Sequence, residues 1–373
     1  MKTFLKRLLL IMCRFVTINK NSILIIESSY PSGSNTKILF ETIKDQFNVE
    51  HIDSNKIFFE RNSFKDYLKY IKMMLTVSKF KIIITTHGFI KYNPNQIVID
   101  LWHGIPMKAM AYMENNENVH PNENFNTDFL ITNSKLDSVL MSSCVHLPFT
   151  KHKILGSPRN DYLYQEREVS SFNFEAYRKI ILFMPTFRQG YQNRIEGTIS
   201  EDLIPVKDFD INRFNQYLEE NNYLFLIKLH PLEEDIAIKK IGRNNGYVKL
   251  ITNNDLLHEE LDIYEMLPHV DLLVTDYSSV YLDYLLLNRP VVFVNHDLKQ
   301  YEDSRGFLLE PYDYWTPGFK TNTYDRFIYA IDRSFSEDPF REKRLELSSL
   351  FHKHHDGHST ERVVDLLEKL LKK

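Results

Sequence analysis

Short apolar runs rich in isoleucine and valine recur along the chain, separated by longer segments in which apolar residues return every three or four positions. In the first half the runs are Ile23–Ile26, Lys81–Thr85, Ile97–Leu101, Phe129–Thr132 and Lys153–Leu155. In the second half they are Ile180–Met184, Tyr223–Lys228, Tyr247–Ile251, Leu272–Thr275 and Val291–Val294. Strands that alternate with helices predict parallel sheets covered on both faces. A polar seam, "QEREVSSFNFEAYR" at 165–178, separates the two sets. The pattern therefore predicts an α/β protein of two doubly wound, Rossmann-type domains, 21–165 and 179–350. A terminal segment 1–20 precedes them, and a loop and helix at 351–373 follow.

The residues after each run carry the chemical information. In order they read "ESS", "THG", "WHG", "TNS", "GSPRND", "PTFR", "LHP" and "TDYSS". Open α/β sheets bind ligands at these carboxyl ends of their strands. Two domains presenting such ends to each other would form opposite walls of one cleft.

The first twenty residues, "MKTFLKRLLLIMCRFVTINK", carry five basic side chains and no acidic one. The uninterrupted apolar run Leu8–Cys13 is far too short to span a bilayer. It also lacks the longer apolar region and small-residue cleavage site of a signal peptide. Two readings stay open: an amphipathic helix lying on an anionic membrane surface, with Phe4, Leu5, Leu8, Ile11 and Met12 on one face, or a first helix packed on its domain.

Composition narrows the class without naming it. Length 373 predicts two domains, and 43% hydrophobic with 26% charged residues is ordinary for a folded globular enzyme. A net charge of −4 argues against nucleic acid as a partner, and two cysteines cannot build a disulfide framework or a four-thiolate zinc site. The histidines of "FHKHHDGHSTERV" lack the spacing of a helical or finger-type metal site. There the expected structure is a turn at Asp356-Gly357, with Ser359 or Thr360 capping the last helix. No D-x-D motif stands beside a strand, so neither a metal nor a cofactor is expected.

Candidate chemistry gathers at five of the strand ends. His103, in "LWHGIPMK", stands where a buried strand stops, beside Trp102 and a chain-bending Gly104. It reads either as a general base or as a ring packed on Trp102. His230, in "KLHP", precedes a proline that holds it extended, which suits a fixed imidazole stabilising a diphosphate. Ser278 and Ser279, in "TDYSS", open a helix and read as caps or as a phosphate site. Arg159 of "GSPRNDYL" is a candidate anion clamp with Asp161 as its partner, and Arg188 of "PTFR" is a second.

Taken together these stretches resemble the CDP-glycerol glycerophosphotransferase family, which builds teichoic acids and related polyol-phosphate capsules. The resemblance rests on "WHGIPMK", "GSPRNDYL", "MPTFR", "KLHP" and "TDYSSVYLDYLLLNRPVVF", then "RGF", "TPG" and "FHKHHDGHSTERV", and it covers roughly residues 80 to 365. It implies a GT-B-like fold, with 21–165 as acceptor domain and 179–350 as CDP-polyol domain. The implied activity is transfer of glycerol phosphate from CDP-glycerol to a lipid-linked (prenyl-diphosphate) acceptor at the cytoplasmic face of the membrane, with release of CMP. His103 and His230 are the implied catalytic residues. Gly104, Lys108, Arg159, Asp161, Thr186, Arg188, Asp276, Ser278, Ser279 and Asp283 are the implied substrate-binding set. Ile105 and Ser157 depart from the family's usual threonine and aromatic residue, in loops expected to read the acceptor. Competing expectations are CDP-ribitol as donor, a nucleotide-sugar glycosyltransferase, and a non-catalytic binding protein on the same fold.

Overall fold

The structure, a computed structural model, describes residues 2–114, 127–165, 167, 169, 172–188, 196–197 and 204–372, with side chains from residue 7 onward. It divides into two compact units. The first comprises 1–103, 121–161 and 356–373, and the second comprises 104–120 and 162–355. Both ends of the chain thus belong to one unit.

The first unit is built on a six-stranded parallel sheet ordered β2-β1-β3-β4-β5-β6. Its strands are β1 Asn19–Glu27, β2 Asn48–Asp53, β3 Phe80–Thr85, β4 Ile97–Asp100, β5 Phe129–Thr132 and β6 His152–Ile154. The central strands are apolar and almost wholly buried, as expected where helices cover both faces. One face packs against the helices Lys2–Cys13 and Phe64–Val77, through Leu9, Cys13, Tyr70, Met74 and Val77. The other receives Leu39 and Ile43 together with Val363, Leu367 and Leu370 of the helix Ser359–Leu371. Each such side chain fully buried contributes about 1.5–3 kcal/mol by the usual area bookkeeping.

The second unit holds a seven-stranded sheet ordered β13-β12-β11-β7-β8-β10-β9. Its strands are β7 Lys179–Phe183, β8 Tyr223–Ile227, β9 Asn244–Asn245, β10 Val248–Leu250, β11 Leu272–Thr275, β12 Val291–Val294 and β13 Phe319–Thr321. All pair in parallel except β9, which runs antiparallel to β10. An aromatic-rich core, with Phe214, Phe225 and Phe327 fully buried, covers one face.

All ten apolar runs are strands. β2, β9 and β13 were not expected, and each lies at or next to a sheet edge. β2 reads "NVEHID", with exposed Asn48, Glu50 and Asp53 alternating with or flanking half-buried residues, so it carries no apolar run. The N-terminal helix packs on its unit, as one of the two readings expects. Leu9 and Cys13 are core residues, while Leu8, Ile11 and Met12 are about half exposed and Phe15 is 85% exposed. Phe4 and Leu5 lie outside the residues whose side chains are described, as do parts of the seam at 165–178.

Candidate active site

Parallel pairing fixes which loops meet. In the first unit the register sets Thr85 of β3 beside Asp100 of β4, so the "THG" and "WHG" loops leave the sheet together. Asp100 joins them. Its carboxylate is fully buried and accepts from the Gly88 N–H at 2.7 Å through one oxygen and from the Trp102 N–H at 2.7 Å through the other. Burial drives its pKa up to about 7, and those two hydrogen bonds only partly oppose the rise.

Trp102 adopts a left-handed backbone, φ 54°, and Gly104 follows with φ 142°. These two turns project His103 into solvent while its neighbours are held. His103 Nδ1 lies 2.9 Å from the carbonyl oxygen of Thr86. A carbonyl can only accept, so Nδ1 carries the ring proton and, in the neutral ring, Nε2 carries the lone pair. His87 stacks on the same imidazole, with centroids 4.3 Å apart and planes 3° from parallel, and Trp102 packs against it at 4.2 Å. The protein atoms crowded around His87 lower its pKa, although the nearby Glu27 charge opposes this.

The motif "GSPRNDYL" forms the floor of this loop. Arg159 is buried, and its Nη1 donates to the carbonyls of Gly33 (3.1 Å) and His103 (3.0 Å). Buried Asn35 ties the same parts together, accepting from the Arg159 N–H at 2.9 Å and donating to the Trp102 carbonyl at 2.8 Å. The expected Arg159–Asp161 pair is replaced by a different use of the carboxylate. Asp161 accepts from the backbone N–H groups of Ser359 (2.8 Å) and Thr360 (2.7 Å), capping the last helix from outside it. The expectation that Ser359 or Thr360 provides the cap is therefore corrected. Gly156 makes the close approach possible: a Cβ there would lie 2.4 Å from the Ser359 hydroxyl, and its φ is +86°.

In the second unit, β7 lies between β8 and β11, so the "PTFR", "KLHP" and "TDYSS" ends are neighbours. Asp276 ties the "PTFR" and "TDYSS" ends together much as Asp100 ties two loops in the first unit. One oxygen accepts from the N–H groups of Thr186 (2.7 Å) and Tyr277 (2.6 Å), and the other accepts from Arg188 at 2.8 Å. Arg188 also pairs with Asp297 at 3.2 Å and lies over the rings of Tyr277 and Tyr301. Burial disfavours its charge, but the two carboxylates outweigh that and raise its pKa. Lys108 belongs to the same charged group. Burial lowers its pKa, against the pull of Glu196 and Asp276 and with the push of Arg305 and Arg188. Glu196 in turn pairs with Arg305 at 2.9 Å.

His230 precedes the helix Pro231–Ile241 and is exposed, its ring stacked on Phe187 with centroids 3.9 Å apart. Its Nδ1 accepts a long hydrogen bond, 3.4 Å, from the Leu232 N–H, which places the ring proton of the neutral form on Nε2. Although its ring reaches solvent, the protein atoms crowded around His230 lower its pKa, and the Lys228 charge adds to this. Ser278 and Ser279 are half-buried, and the Ser279 side chain makes no capping hydrogen bond.

Asp283, expected to bind substrate, is instead 0% exposed and accepts from the Tyr264 hydroxyl at 2.7 Å inside the core. His352 is also internal, its Nε2 bonded to the Leu282 carbonyl at 2.8 Å. Ile105 and Ser157 are likewise buried. Asn35, Thr86, His87 and Asp100 were not expected as site residues. For Asp100 a signal existed, a carboxylate closing an otherwise apolar strand directly before "LWHG".

Residues 4–369 match the family model described as CDP-Glycerol:Poly(glycerophosphate) glycerophosphotransferase. The chain belongs to this glycerophosphotransferase family. A teichoic acid glycerol-phosphate transferase of Staphylococcus aureus (strain NCTC 8325 / PS 47) is 25% identical over 353 residues, covering 88% of this chain and 83% of that one. The teichoic acid ribitol-phosphate polymerase TarK of the same strain is 26% identical over 295 residues, 74% of this chain. The chain spans about half the length of that polymerase, 53%. Among solved structures, the wall teichoic acid polymerase TagF superposes with a TM-score of 0.73 at 20% identity, covering 100% of this chain and 96% of that one. That likeness shows the fold, and the glycerophosphotransferase chain is GT-B-like, with a parallel α/β sheet in each unit.

Proposed function

We propose that this glycerophosphotransferase moves glycerol phosphate from CDP-glycerol to a saccharide or polyol-phosphate acceptor carried on a prenyl-diphosphate lipid, releasing CMP, in teichoic acid or related capsule synthesis. The observation that carries the reading is the hydrogen bond from His103 Nδ1 to the Thr86 carbonyl. It dictates a tautomer whose Nε2 can take a proton from an acceptor hydroxyl. The hydroxyl oxygen then bonds to the β-phosphorus of the donor while the bond from that phosphorus to the CMP oxygen breaks. General-base help of this kind gives about 10²- to 10⁴-fold.

His230 presents the opposite tautomer, an N–H at Nε2, which suits a hydrogen bond to the departing phosphate. Lys108, Thr186, Arg188, Asp276, Ser278 and Ser279 make the donor's diphosphate pocket in this reading, with Gly104 letting backbone approach the substrate. Arg159 and Asp161 serve by holding the His103 loop and the last helix. Charge stabilisation at the leaving group is the main demand of phosphoryl transfer.

The relatives support the substrate class, since both glycerol-phosphate and ribitol-phosphate enzymes are among them. CDP-ribitol is therefore the second donor to weigh. The lipid acceptor would confine the enzyme to the inner membrane face. No helix among the described residues is long and apolar enough to cross a membrane, and the exposed Leu8, Ile11, Met12 and Phe15 are the proposed contact with its surface. Incubating the protein with CDP-glycerol, CDP-ribitol and common nucleotide sugars, and identifying the nucleotide released, tests the reading. CMP from CDP-glycerol in the presence of acceptor is expected, and release of UDP from a UDP-sugar alone would replace it with sugar transfer.

A further inference from the structure

We propose that a cavity of about 380 Å³ within the first unit is the acceptor pocket, and that it takes a saccharide or polyol bearing a phosphate. The proposal rests on the transfer reading above. The cavity is lined by Phe58, Arg61, Tyr70, His87, Phe89 and Tyr92, among others. It forms where the loop after β2 meets the loop after β3. A volume of this size lies within the range of small-molecule sites, about 300–1,000 Å³.

His87 connects the cavity to the chemistry. One imidazole lines the cavity and stacks at 4.3 Å on His103, so a molecule seated there lies one ring away from the proposed base. An attacking hydroxyl belongs to a larger molecule, and the rest of that molecule needs a place on the same unit. The lining fits a phosphorylated carbohydrate. Phe58, Phe89 and Tyr92 form a run of edge-on and tilted rings, with centroids 6.4 Å and 5.1 Å apart; Phe89 and Tyr92 are buried beneath, and the exposed Phe58 ring is the one open to the C–H surface of a sugar or polyol. The Arg61 guanidinium lies 4.4 Å over the Tyr70 ring. A cation–π contact of this kind uses none of the guanidinium N–H donors, which remain for a bidentate grip on phosphate. His87 Nδ1 is engaged with the Thr86 hydroxyl at 2.8 Å, which leaves Nε2 as its nitrogen for a ligand.

The test uses a soluble disaccharide ending in glycerol phosphate, with a short alkyl chain in place of the lipid, and its phosphate-free counterpart. Binding is measured by calorimetry without donor, on the full chain and on Arg61→Ala, Arg61→Lys and Phe58→Ala. Both positions are exposed, so truncation spares the core. Arg61→Ala is expected to weaken the phosphorylated analogue at least tenfold and to leave the phosphate-free one unchanged, with Arg61→Lys between. Phe58→Ala weakens both, and in turnover the acceptor KM rises while the donor KM holds. Equal binding of the phosphorylated analogue by all variants overturns the pocket, as does failure of the unaltered chain to bind it. Arg61-dependent binding by a chain that releases no CMP from CDP-glycerol would keep the pocket and remove the donor reading.

Discussion

The loops after β4 and β8 look alike in sequence: each follows a buried strand and ends on a histidine beside a residue that bends or stiffens the chain. Their surroundings make them chemically opposite. The "WHG" imidazole gives its Nδ1 proton to the Thr86 carbonyl and offers a lone pair. The "LHP" imidazole accepts from the Leu232 N–H and offers a proton. A single backbone group, oxygen in one case and N–H in the other, sets which ring nitrogen holds the proton. The buried carboxylates at the strand ends of the two units differ too: Asp100 accepts from the backbone N–H groups of Gly88 and Trp102, whereas Asp276 also binds a guanidinium.

The comparison breaks most sharply under amide substitution. An amide donates a hydrogen bond but takes no proton at neutral pH. His103→Gln and His103→Ala should both lose at least about 10²-fold in kcat with the donor Kd nearly unchanged. His230→Ala should cost about 10²- to 10³-fold, and His230→Gln should recover roughly tenfold of that by restoring a donor. Single-turnover rates with calorimetric donor binding decide this. Equal rescue by glutamine at both positions would erase the distinction.

Ser278→Ala with Ser279→Ala belongs to the His230 side of the comparison. It should raise the donor Kd about tenfold and leave the acceptor KM alone, because two hydroxyls at a strand's carboxyl end are lost. Normal donor binding with a lowered melting temperature would make the pair structural.

Asp100→Asn sharpens the His103 side. One of two buried N–H groups loses its acceptor, at a cost of about 1–3 kcal/mol in stability. The pH dependence has a definite sign. The folded Asp100 pKa, about 7, lies above its ordinary value, so the folded state holds the proton longer than the unfolded chain. That contribution is present at low pH and is lost as pH rises toward and through 7. The stability gap between the native protein and Asp100→Asn should therefore narrow from pH 5 to pH 8 in urea unfolding. A gap that is constant with pH would assign Asp100 an ordinary ionisation.

The smallest effect concerns the membrane. Leu8→Gln, Met12→Gln and Phe15→Gln together leave Leu9 and Cys13 in the core, so folding should persist. Binding to vesicles containing anionic lipid should fall, and salt should release the unaltered chain. Unchanged vesicle binding would move the contact elsewhere on the protein.

Much of the fold was legible because buried parallel strands must be continuously apolar, and ten such runs stand out between helical segments. The motifs were legible for a related reason: residues at strand ends interrupt that apolar pattern. Edge strands such as β2 were illegible, since a strand with half of its side chains exposed and none fully buried needs no apolar run.

The sequence by itself determined two parallel α/β sheets, the strand ends where polar chemistry collects, and the family to which those motifs belong. Only the tertiary structure decided what each polar residue does. Arg159 and Asp161 are adjacent to the same motif in sequence, yet one holds the His103 loop and the other caps a helix some two hundred residues later. Asp283, two positions from a helical tyrosine in an apparent site motif, is sealed in the core against Tyr264. The cause is physical. A buried donor or acceptor must find a partner, and partners are set by which loops the sheet register brings together rather than by distance along the chain.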